Sequence, residues 1–519
     1  MSRIRLAAAF LATLALGACA TGPEPPADRF LPMAEAEFGA GFTNIDERYI
    51  EPLRMSELAL SGMQGISKID PKLSVTRDGN VIRLADGERT VAFFDVPATE
   101  SPVVWADLTA RVVEAGRADS AALGKAGVER IYEVVFDGAL THLDRFSRYA
   151  PAALARLQRG QRDGFGGIGV ALSLDDGVVR FEQVTVDSPA ARAGIEPGDV
   201  LLGIAGQPVA GLSRDAILER LRGPVDSELR LSVMAGMGGP PRDVTLRREL
   251  IIPATVSFER RGDVAYFRLS GFNEETTQSL ELALARAKRQ MGANLHGAVI
   301  DLRGNPGGLL DQAVTVADLF LARGRILSTA GRHPDSNQIF DAAGNDLLEG
   351  KPIVLLDDGN TASAAEVVAA ALQDQRRAVV VGTSSYGKGT VQTVHRLPND
   401  GEIVITWSRI LPPSGYVLNG VGVIPDLCTS EVDPKARNAA ARIVDTALEG
   451  HLETAAARAS LRAHPRPTVA EIDAMRAACP PNANDAPLDL EVARELVDDA
   501  TLYARSLEPQ GAPEIAKSK

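Results

Sequence analysis

The stretch HGAVIDLRGNPGG, residues 296–308, decides how the second half of the chain folds. It is a short apolar run that ends in glycines, and similar runs return further along the chain after stretches with helical spacing. These later segments are the helical pattern Leu310–Leu321, the run PIVLLDDG at 352–359, the helical pattern Ser363–Gln375 and the run AVVVG at 378–382. Strands and helices that alternate in this way form a parallel sheet whose faces the helices cover. The sequence therefore predicts an α/β core over residues 251–430.

Short strands and glycine turns dominate residues 159–250, before the core. FGGIGV at 165–170 and SPAARAGIEPGDVL at 188–201 resemble a PDZ domain of the bacterial protease type. A glycine-rich strand entrance can offer unpaired backbone N–H groups to a terminal carboxylate, and an exposed strand edge can accept a peptide as an added strand. The residues predicted to bind this peptide are Phe165, Gly166, Gly167, Ile168 and Gly169, with Phe165 and Ile168 lining its pocket. A glycine-rich hairpin that only turns the chain is the alternative.

The N-terminus has the build of a secretory signal. Residues 1–18 contain two arginines, then an apolar run too short to span a bilayer, and then small residues. The sequence LGAC that ends at Cys19 resembles a bacterial lipobox, and Ala20 after it resembles outer-membrane sorting. We therefore expect lipid on Cys19, a Pro-rich tether over residues 19–34, and a periplasmic protein held at the outer membrane by this anchor alone. A plain signal peptide with a coincidental cysteine is the alternative.

Helical patterns dominate the two remaining regions, residues 35–158 and residues 431–519. Within the first region, residues 73–96 instead alternate apolar and polar side chains around two Asp-Gly pairs, which predicts a small insert of strands. The end of the second region is expected to be loose. Together the segments predict a multidomain α+β protein with helical N- and C-terminal regions around the PDZ domain and the α/β core.

Composition and cysteine usage exclude several kinds of site. The 519 residues carry a formal net charge of −13, which disfavours nucleic acid as a partner. Histidines and cysteines show no metal-ligand spacing, so we expect neither a metal nor another cofactor. With Cys19 lipidated, Cys428 and Cys479 remain as a pair in a compartment that favours disulfides, and we expect a bond that pins the C-terminal region to the core. Two buried free thiols are the alternative.

The loop GTSSYGKGTVQ, residues 382–392, allows more than one interpretation of Lys388. A phosphate-binding loop of the type G-x-x-x-x-G-K-[ST] needs a hydroxyl after the lysine, and this chain has Gly389 there, so the sequence disfavours an NTPase. A solvated surface lysine is the plainest alternative.

Ser363 suggests a different role for Lys388, that of a base for a catalytic serine. It lies at the predicted start of a helix, where unpaired N–H groups favour negative charge, although a serine at such a position is most often only an N-cap. The amide of Ala364, with a second donor from Gly308 or Gly307, could stabilise an oxyanion formed when Ser363 attacks a carbonyl. No histidine lies in a recognisable triad context, so a catalytic serine here needs another base.

Several segments together resemble the C-terminal processing peptidases, which are tail-specific proteases with a Ser-Lys catalytic centre. In chain order they are FGGIGV, SPAARAGIEPGDVL, IDLRGNPGGLLDQAV, TASAAE, GTSSYGKGTVQ and PPSGYVLNGVGVIPD. The resemblance covers roughly residues 130–430 and implies a crotonase-like α/β core. It implies that Ser363 is the nucleophile, Lys388 the base, and Gln392 a residue that orients Lys388. The strands near 73–96 are an insertion relative to the family.

General-base catalysis makes a demand on Lys388. At the ordinary lysine pKa near 10.4, only about one side chain in a few thousand is neutral at pH 7. Burial can lower a lysine pKa by about 3 to 5 units, into the range that a base requires. Gln392 can orient the amine without raising its pKa as a carboxylate would. Glu366 and Asp374, on the same predicted helix as Ser363, resemble positions that support the site in relatives, and solvated acids on a helix face are the alternative.

We therefore predict a serine endopeptidase that captures protein C-terminal tails on its PDZ domain and cleaves peptide bonds through an acyl-enzyme. The resemblance implies envelope proteins with free, apolar C-termini as substrates, with a homo-oligomer or an adaptor as possible further partners. The competing hypothesis is a non-proteolytic PDZ scaffold that holds tails on an inactive or gated peptidase fold.

Overall fold

The computed structural model describes residues 29–344, 346–430, 432, 438–448, 453–483 and 487–507. The predicted signal peptide and Cys19 lie outside these residues. The first helix begins at Phe30, so the end of the predicted tether belongs to the N-terminal domain. None of the described helices combines the length and the apolar character that a membrane span requires.

Helices form most of the N-terminal domain. They are α1 (Phe30–Arg48), α2 (Met55–Gln64), α3 (Pro102–Asp119), α4 (Ala121–Lys125), α5 (Val128–Leu140) and α6 (Ala152–Arg162), with a 3-10 turn at Gly65–Lys68. Phe136 of α5 packs edge to face against Phe38 and Phe42 of α1, and all three rings are fully buried. Because Phe38 and Phe42 are four residues apart, they share one face of α1, and this face forms the centre of the domain's core.

The predicted insert is an antiparallel sheet of three strands. They are β1 (Leu73–Asp78), β2 (Val81–Asp86) and β3 (Arg89–Asp95). Gly79 and Gly87 turn the chain between them with φ of 59° and 58°, a left-handed conformation that glycine adopts without steric cost. The alternating pattern around the two Asp-Gly pairs thus corresponds to two consecutive hairpins inside a helical domain.

The PDZ domain is a small antiparallel sheet with two helices. Its elements are β5 (Phe165–Gly167), β6 (Val170–Asp175), β7 (Val178–Val184), α7 (Pro189–Arg192), β8 (Val200–Ile204), β9 (Gln207–Pro208), α8 (Arg214–Leu221), β10 (Glu228–Met234), β11 (Arg242–Arg247) and β12 (Glu249–Ile251). The strand order is β11-β10-β8-β7-β6, with β9 beside β8, whereas β5 pairs with β12. Strand β6 is therefore the edge of the sheet, and α8 packs next to it.

The core has the predicted alternation of strands and helices. Its elements are β13 (Val256–Arg261), β14 (Val264–Leu269), α9 (Thr276–Met291), β15 (Gly297–Asp301), α10 (Leu310–Asp318), β16 (Arg325–Ala330), β17 (Ile339–Asp341), β18 (Ile353–Asp357), α11 (Ala364–Asp374), β19 (Val379–Gly382), β20 (Thr390–Arg396), β21 (Glu402–Leu411) and β22 (Leu427–Cys428), with 3-10 turns at Gly292–Asn294 and Pro334–Ser336. The main sheet has the order β13-β14-β15-β18-β19-β22 and is parallel from β14 to β22. Every residue of β15 and β18 is buried, which explains their unbroken apolar runs.

A second, antiparallel sheet joins the core to the N-terminal domain. It has the order β17-β16-β21-β20, and a short strand of the N-terminal domain, β4 (Arg148–Ala150), pairs with β21. Ile403 and Ile405 of β21, with Leu397 of the β20–β21 turn, belong to the hydrophobic core of the N-terminal domain. The two domains therefore share a sheet and a core.

The C-terminal region consists of further helices packed on the core. They are α12 (Ala439–Leu448), α13 (Glu453–Ala463), α14 (Val469–Ala477), α15 (Pro487–Asp498) and α16 (Ala500–Leu507). Cys428 at the end of β22 and Cys479 after α14 form a disulfide, with 5.8 Å between their Cα atoms. This bond links the C-terminal region to the last strand of the main sheet.

Candidate active site

Ser363 lies on a strained turn that leads from β18 into α11. Its backbone has φ 57° and ψ −116°, and holding a residue with a Cβ in such a sparsely populated region costs on the order of 1–3 kcal/mol. Its carbonyl accepts the N–H of Val367 at 3.0 Å, as in the first turn of a helix. A strained turn from strand to helix also exposes the nucleophile in hydrolases of another fold. The side chain of Ser363 is half-buried, so it can meet a substrate.

Glu366, one turn into α11, joins the turn of Ser363 to the loop of Lys388. Its Oε2 atom accepts the N–H of Ser363 at 2.7 Å and that of Lys388 at 2.9 Å. Its Oε1 atom accepts the N–H of Gly387 at 2.7 Å and the hydroxyl of Ser385. Burial raises the pKa of this carboxyl group, and the four hydrogen bonds act in the opposite direction. The fully buried side chain of Glu366 therefore holds the turn of Ser363 and the loop of Lys388 in a fixed relative position.

The same contacts argue against a phosphate-binding loop. The N–H groups of Gly387 and Lys388, which such a loop would direct at phosphate, donate instead to the carboxylate of Glu366. A Cβ on Gly389 would lie 2.0 Å from the backbone nitrogen of Asn419. The fold therefore has no room at position 389 for the hydroxyl residue that a phosphate loop needs.

A glycine loop after β15 packs against the turn of Ser363. A Cβ on Gly307, where φ is 95°, would lie 2.8 Å from the Cβ of Ser363 and 2.9 Å from the nitrogen of Ala364. The N–H of Gly307 donates to Asn305 Oδ1 at 2.9 Å and is therefore occupied. Among the described residues, the N–H groups of Gly308 and Ala364 have no hydrogen-bond partner. Of the two glycines considered from the sequence, Gly308 is thus the one with a free donor.

The side chain of Lys388 faces residues of the N-terminal domain. Its Nζ atom lies 5.3 Å from the centre of the Phe146 ring. Burial lowers the pKa of Lys388 and the nearby charge of Arg148 lowers it further, whereas Glu366 and Asp144 act in the opposite direction. Within the described part of the chain, the ammonium forms no salt bridge. The direction of this pKa shift is the one that a general base requires.

Gln392 lies on β20, and its amide is held by threonines. The amide nitrogen donates to Thr390 Oγ1 at 2.8 Å and to Thr406 Oγ1 at 3.2 Å. Thr406 in turn donates to Asp144 at 3.1 Å. The described residues include no hydrogen bond between Gln392 and Lys388. The orienting role of Gln392 for Lys388 stays a prediction.

Asp374, the second acid of α11, lies at the far end of the helix from Ser363, roughly 16 Å along its axis. Its carboxylate accepts the N–H and the hydroxyl of Ser414 at 3.0 and 2.5 Å. Burial raises the pKa of its carboxyl group. Asp374 therefore supports the loop at Ser414 and does not touch Ser363 or Lys388. Neither acid is solvated, since Glu366 is fully buried and the side chain of Asp374 is only 9% exposed.

The predicted peptide-binding residues of the PDZ domain divide into two groups. Phe165, Gly166 and Gly167 form β5, which pairs with β12 and not with the main PDZ sheet. The side chain of Ile168 is only 2% exposed and belongs to the PDZ core, and its role in lining the peptide pocket stays a prediction. The backbone N–H groups of Ile168 and Gly169 have no partner among the described residues, and they lie directly before the edge strand β6. The backbone of this segment therefore offers two N–H donors that fit a carboxylate.

Sequence reasoning missed two contributions to the site. Ser385, three residues before Lys388, donates its hydroxyl to Glu366 and accepts the N–H of Val423 at 2.7 Å. The available signal for Ser385 was its position in the loop of residues 382–392, which also contains Lys388. Phe146 faces Lys388 from the N-terminal domain, and no local pattern around it pointed to this contact.

Comparison with known proteins gives two matches to families and several to individual proteins. Residues 263–429 match peptidase family S41, and residues 180–233 match a PDZ domain. A "Carboxy-terminal-processing protease" of Bartonella bacilliformis is 36% identical over 328 residues, which cover 63% of this chain and 76% of that protein. A "Probable CtpA-like serine protease" of Staphylococcus aureus is 30% identical over 304 residues, which cover 58% of this chain and 60% of that protein. Among solved structures, a photosystem II D1 C-terminal processing protease is similar at 25% identity with a TM-score of 0.38, over 78% of this chain and 95% of that one.

Proposed function

The chain belongs to the family of carboxy-terminal-processing serine proteases, and on this basis we propose that it is an endopeptidase in which Ser363 and Lys388 form the catalytic centre. The observation that supports the proposal is that the backbones of Ser363 and Lys388 share one hydrogen-bond acceptor. One buried carboxylate, that of Glu366, accepts the backbone N–H of both. A nucleophile and its base must keep a fixed relative position, and this carboxylate supports such a position.

The proposed reaction proceeds through an acyl-enzyme. The neutral amine of Lys388 accepts the hydroxyl proton of Ser363 while Oγ bonds to the carbonyl carbon of the scissile peptide. The carbonyl oxygen becomes an oxyanion, and the free N–H groups of Ala364 and Gly308 stabilise it. The carbon–nitrogen bond then breaks, and the leaving amine takes the proton from Lys388. Water repeats these steps on the ester and releases Ser363, and Gln392 orients Lys388 throughout.

Substrates are proposed to enter through the PDZ domain. The free N–H groups of Ile168 and Gly169 bind the terminal carboxylate, and the last residues of the tail pair with the edge strand β6. This mode requires a free C-terminus and an unstructured tail. Strand β6 has a neighbour on one side only, which supports it as the site of peptide addition.

The proposed location follows from the N-terminal sequence. Lipid on Cys19 would hold the protein at the outer membrane, facing the periplasm, where envelope proteins are the available substrates. A homo-oligomer or an adaptor would be an additional partner. Radiolabelled palmitate incorporation into the full chain, and its loss in Cys19→Ala, tests the anchor.

The test of proteolysis uses a disordered protein with an apolar C-terminus. The full chain should cleave it, and Ser363→Ala should not, because the nucleophile is absent. Ser279→Ala, a serine of α9 in the same domain, should cleave at a rate close to that of the unaltered chain. If neither the unaltered chain nor Ser279→Ala cleaves but both bind the tail, the non-proteolytic scaffold is the better description.

A further inference from the structure

A short segment of the C-terminal region, residues 476–482, crosses both catalytic loops, and we name it the C-terminal clamp. We propose that the clamp sets the relative position of Ser363 and Lys388, with Arg476 and Thr383 as positioning residues. This inference rests on the proposed Ser-Lys centre and adds to it a part that lies about 90 residues beyond Lys388 in the chain.

Arg476, in the last turn of α14, holds the loop of Lys388. Its Nη2 atom donates to the carbonyl oxygen of Ser385 at 2.9 Å, and its Nη1 atom donates to that of Val421 at 2.6 Å. Ser385 is the residue whose hydroxyl donates to Glu366. Hydrogen bonds therefore connect the guanidinium through Ser385 to the carboxylate of Glu366, which accepts the backbone N–H of Lys388.

The packing around this guanidinium leaves it little freedom. A Cβ on Gly422 would lie 3.1 Å from Arg476 Nη1 and 2.6 Å from the hydroxyl oxygen of Ser385. Burial lowers the pKa of Arg476, and the negative charges of Glu366 and Asp357 act against this effect. The effect of Glu366 on this pKa shows that Arg476 lies near the carboxyl group that joins the two catalytic loops.

The other end of the clamp contacts the loop that leads to Ser363. The carbonyl oxygen of Asn482 accepts the N–H of Gly359 at 2.9 Å, four residues before Ser363. The same carbonyl accepts the hydroxyl of Thr383 at 3.1 Å, and the N–H of Asn482 donates to Thr383 Oγ1 at 3.2 Å. Thr383 precedes Lys388 in its loop. The backbone at residue 482 thus joins the two loops directly.

The disulfide fixes the middle of the clamp. Cys479 lies between Arg476 and Asn482 and is bonded to Cys428. Cys428 pairs with Gly382, the last residue of β19, from which the loop of Lys388 departs. The clamp is therefore attached covalently to β22, the strand that pairs with β19 where the loop of Lys388 begins.

The experiment compares Arg476→Met and Thr383→Val with two matched controls. Arg458→Met removes another arginine of the C-terminal region that donates to a backbone carbonyl, that of Pro425, at 2.5 Å. Thr329→Val removes another buried threonine whose hydroxyl donates to one backbone group, at 2.7 Å, and accepts from another, at 3.1 Å. Arg458→Met also removes an ion pair with Asp426 at 3.1 Å, so its loss of contacts is at least as large as that of Arg476→Met. In the described part of the chain, these bonds of Arg458 and Thr329 do not involve the loops of Ser363 and Lys388.

The readouts are kcat, KM, the melting temperature and the rate at which a fluorophosphonate probe labels Ser363 in the full chain. Arg476→Met and Thr383→Val should lower kcat and the labelling rate by on the order of 10- to 100-fold, because displacements near 1 Å cost about that much. KM should change less than about twofold, since the hydrogen bonds that the clamp forms with other domains in the described part of the chain all go to the core and none to the PDZ domain. Arg476→Lys, which keeps the charge and one donor, should recover part of the loss.

Two results would overturn the proposal. The first is found if Arg476→Met and Thr383→Val keep a kcat as high as that of a control variant whose melting temperature falls by the same amount. The second is an equal fall of kcat in all four variants, which would mean that general loosening, and not positioning, is measured. Cleavage by Ser363→Ala would instead contradict the Ser-Lys centre itself, so the two failures are distinguishable.

Discussion

The Oε2 atom of Glu366 lies 2.9 Å from the backbone nitrogen of Lys388, although Glu366 belongs to helix α11 and Lys388 to the loop after β19. The same atom accepts the N–H of Ser363. A carboxylate has lone pairs for several donors, whereas an amide of equal size offers one oxygen and two N–H groups. The identity of residue 366, and not only its size, therefore determines whether the two loops can meet.

Glu366→Gln should lower kcat by on the order of 10- to 100-fold, because the amide must turn one N–H group toward backbone donors and shift the loops. Each buried donor left without an acceptor also costs about 1–3 kcal/mol, so the melting temperature should fall. Steady-state kinetics and thermal unfolding measure the two effects. Glu281→Gln, on the exposed face of α9, is the control and should change neither. An unaltered kcat in Glu366→Gln would mean that the shared carboxylate is dispensable.

The activity of the unaltered chain should rise with pH through the lowered pKa of Lys388, because only the neutral amine can accept a proton. Arg148→Gln removes a cation that helps to lower this pKa, so the rising limb of kcat/KM should move to higher pH. Arg156→Gln, an exposed arginine that pairs with Asp400, should leave the limb in place. Lys388→Arg should be inactive at every pH, since arginine does not become neutral in this range. Strong activity in Lys388→Arg would rule out a lysine base.

The PDZ domain should select substrates by a free C-terminus. Amidation of a peptide's terminal carboxylate removes the group that the N–H groups of Ile168 and Gly169 are proposed to bind, so KM should rise by about tenfold or more while kcat changes little. Replacement of the last two residues by aspartate should also raise KM. The measurement is steady-state cleavage of matched peptides with free and amidated ends. Equal KM values for the two peptides would contradict capture by the carboxylate.

Glu37 should give the protein a pH-dependent stability. Its Oε2 atom accepts the N–H of Asn399 at 3.1 Å across the interface between α1 and the β20–β21 turn, and its Oε1 atom has no hydrogen-bond partner among the residues that the structure describes. Burial raises its pKa from 4.5 to about 7. Because the folded pKa is the higher one, this stability is fully present below pH 4.5 and is lost as pH rises through about 7.

Glu37→Gln should therefore be more stable than the unaltered chain at pH 8, and the difference should shrink or reverse near pH 4.5. Chemical denaturation at the two pH values measures it. Glu35→Gln, on the same helix, is the matched control. A stability difference that does not change between the two pH values would show that Glu37 does not titrate in this range.

The sequence predicted the parts of the fold and site that depend on local patterns. The buried strands β15 and β18, the helix after Ser363 and the Asp-Gly turns of the insert all follow from periodicity within a few residues. The PDZ domain and the peptidase core followed from the resemblance of several motifs in order.

What the sequence did not predict depends on contacts between distant segments. The contact of Phe146 with Lys388 joins the N-terminal domain to the core, and the bond from Arg476 to Ser385 joins the core to the C-terminal region. Neither residue lies in a motif. The burial of Ile168 was also missed, because a Gly-rich segment can present either its backbone or its side chains, and only packing decides which.

The pairing of β4 with β21 has a consequence for biosynthesis. Tyr149 pairs with Ile403, about 250 residues later in the chain, and at about 5–20 residues per second the ribosome needs roughly 10 to 50 s to make the second partner. Until then the segment that carries Phe146 and Arg148 lacks its place in the sheet, so no complete environment around Lys388 exists to lower its pKa. A nascent or truncated chain that ends before β21 should consequently be unable to digest the proteins around it, and the capacity to cut should begin only after this strand has been made and paired.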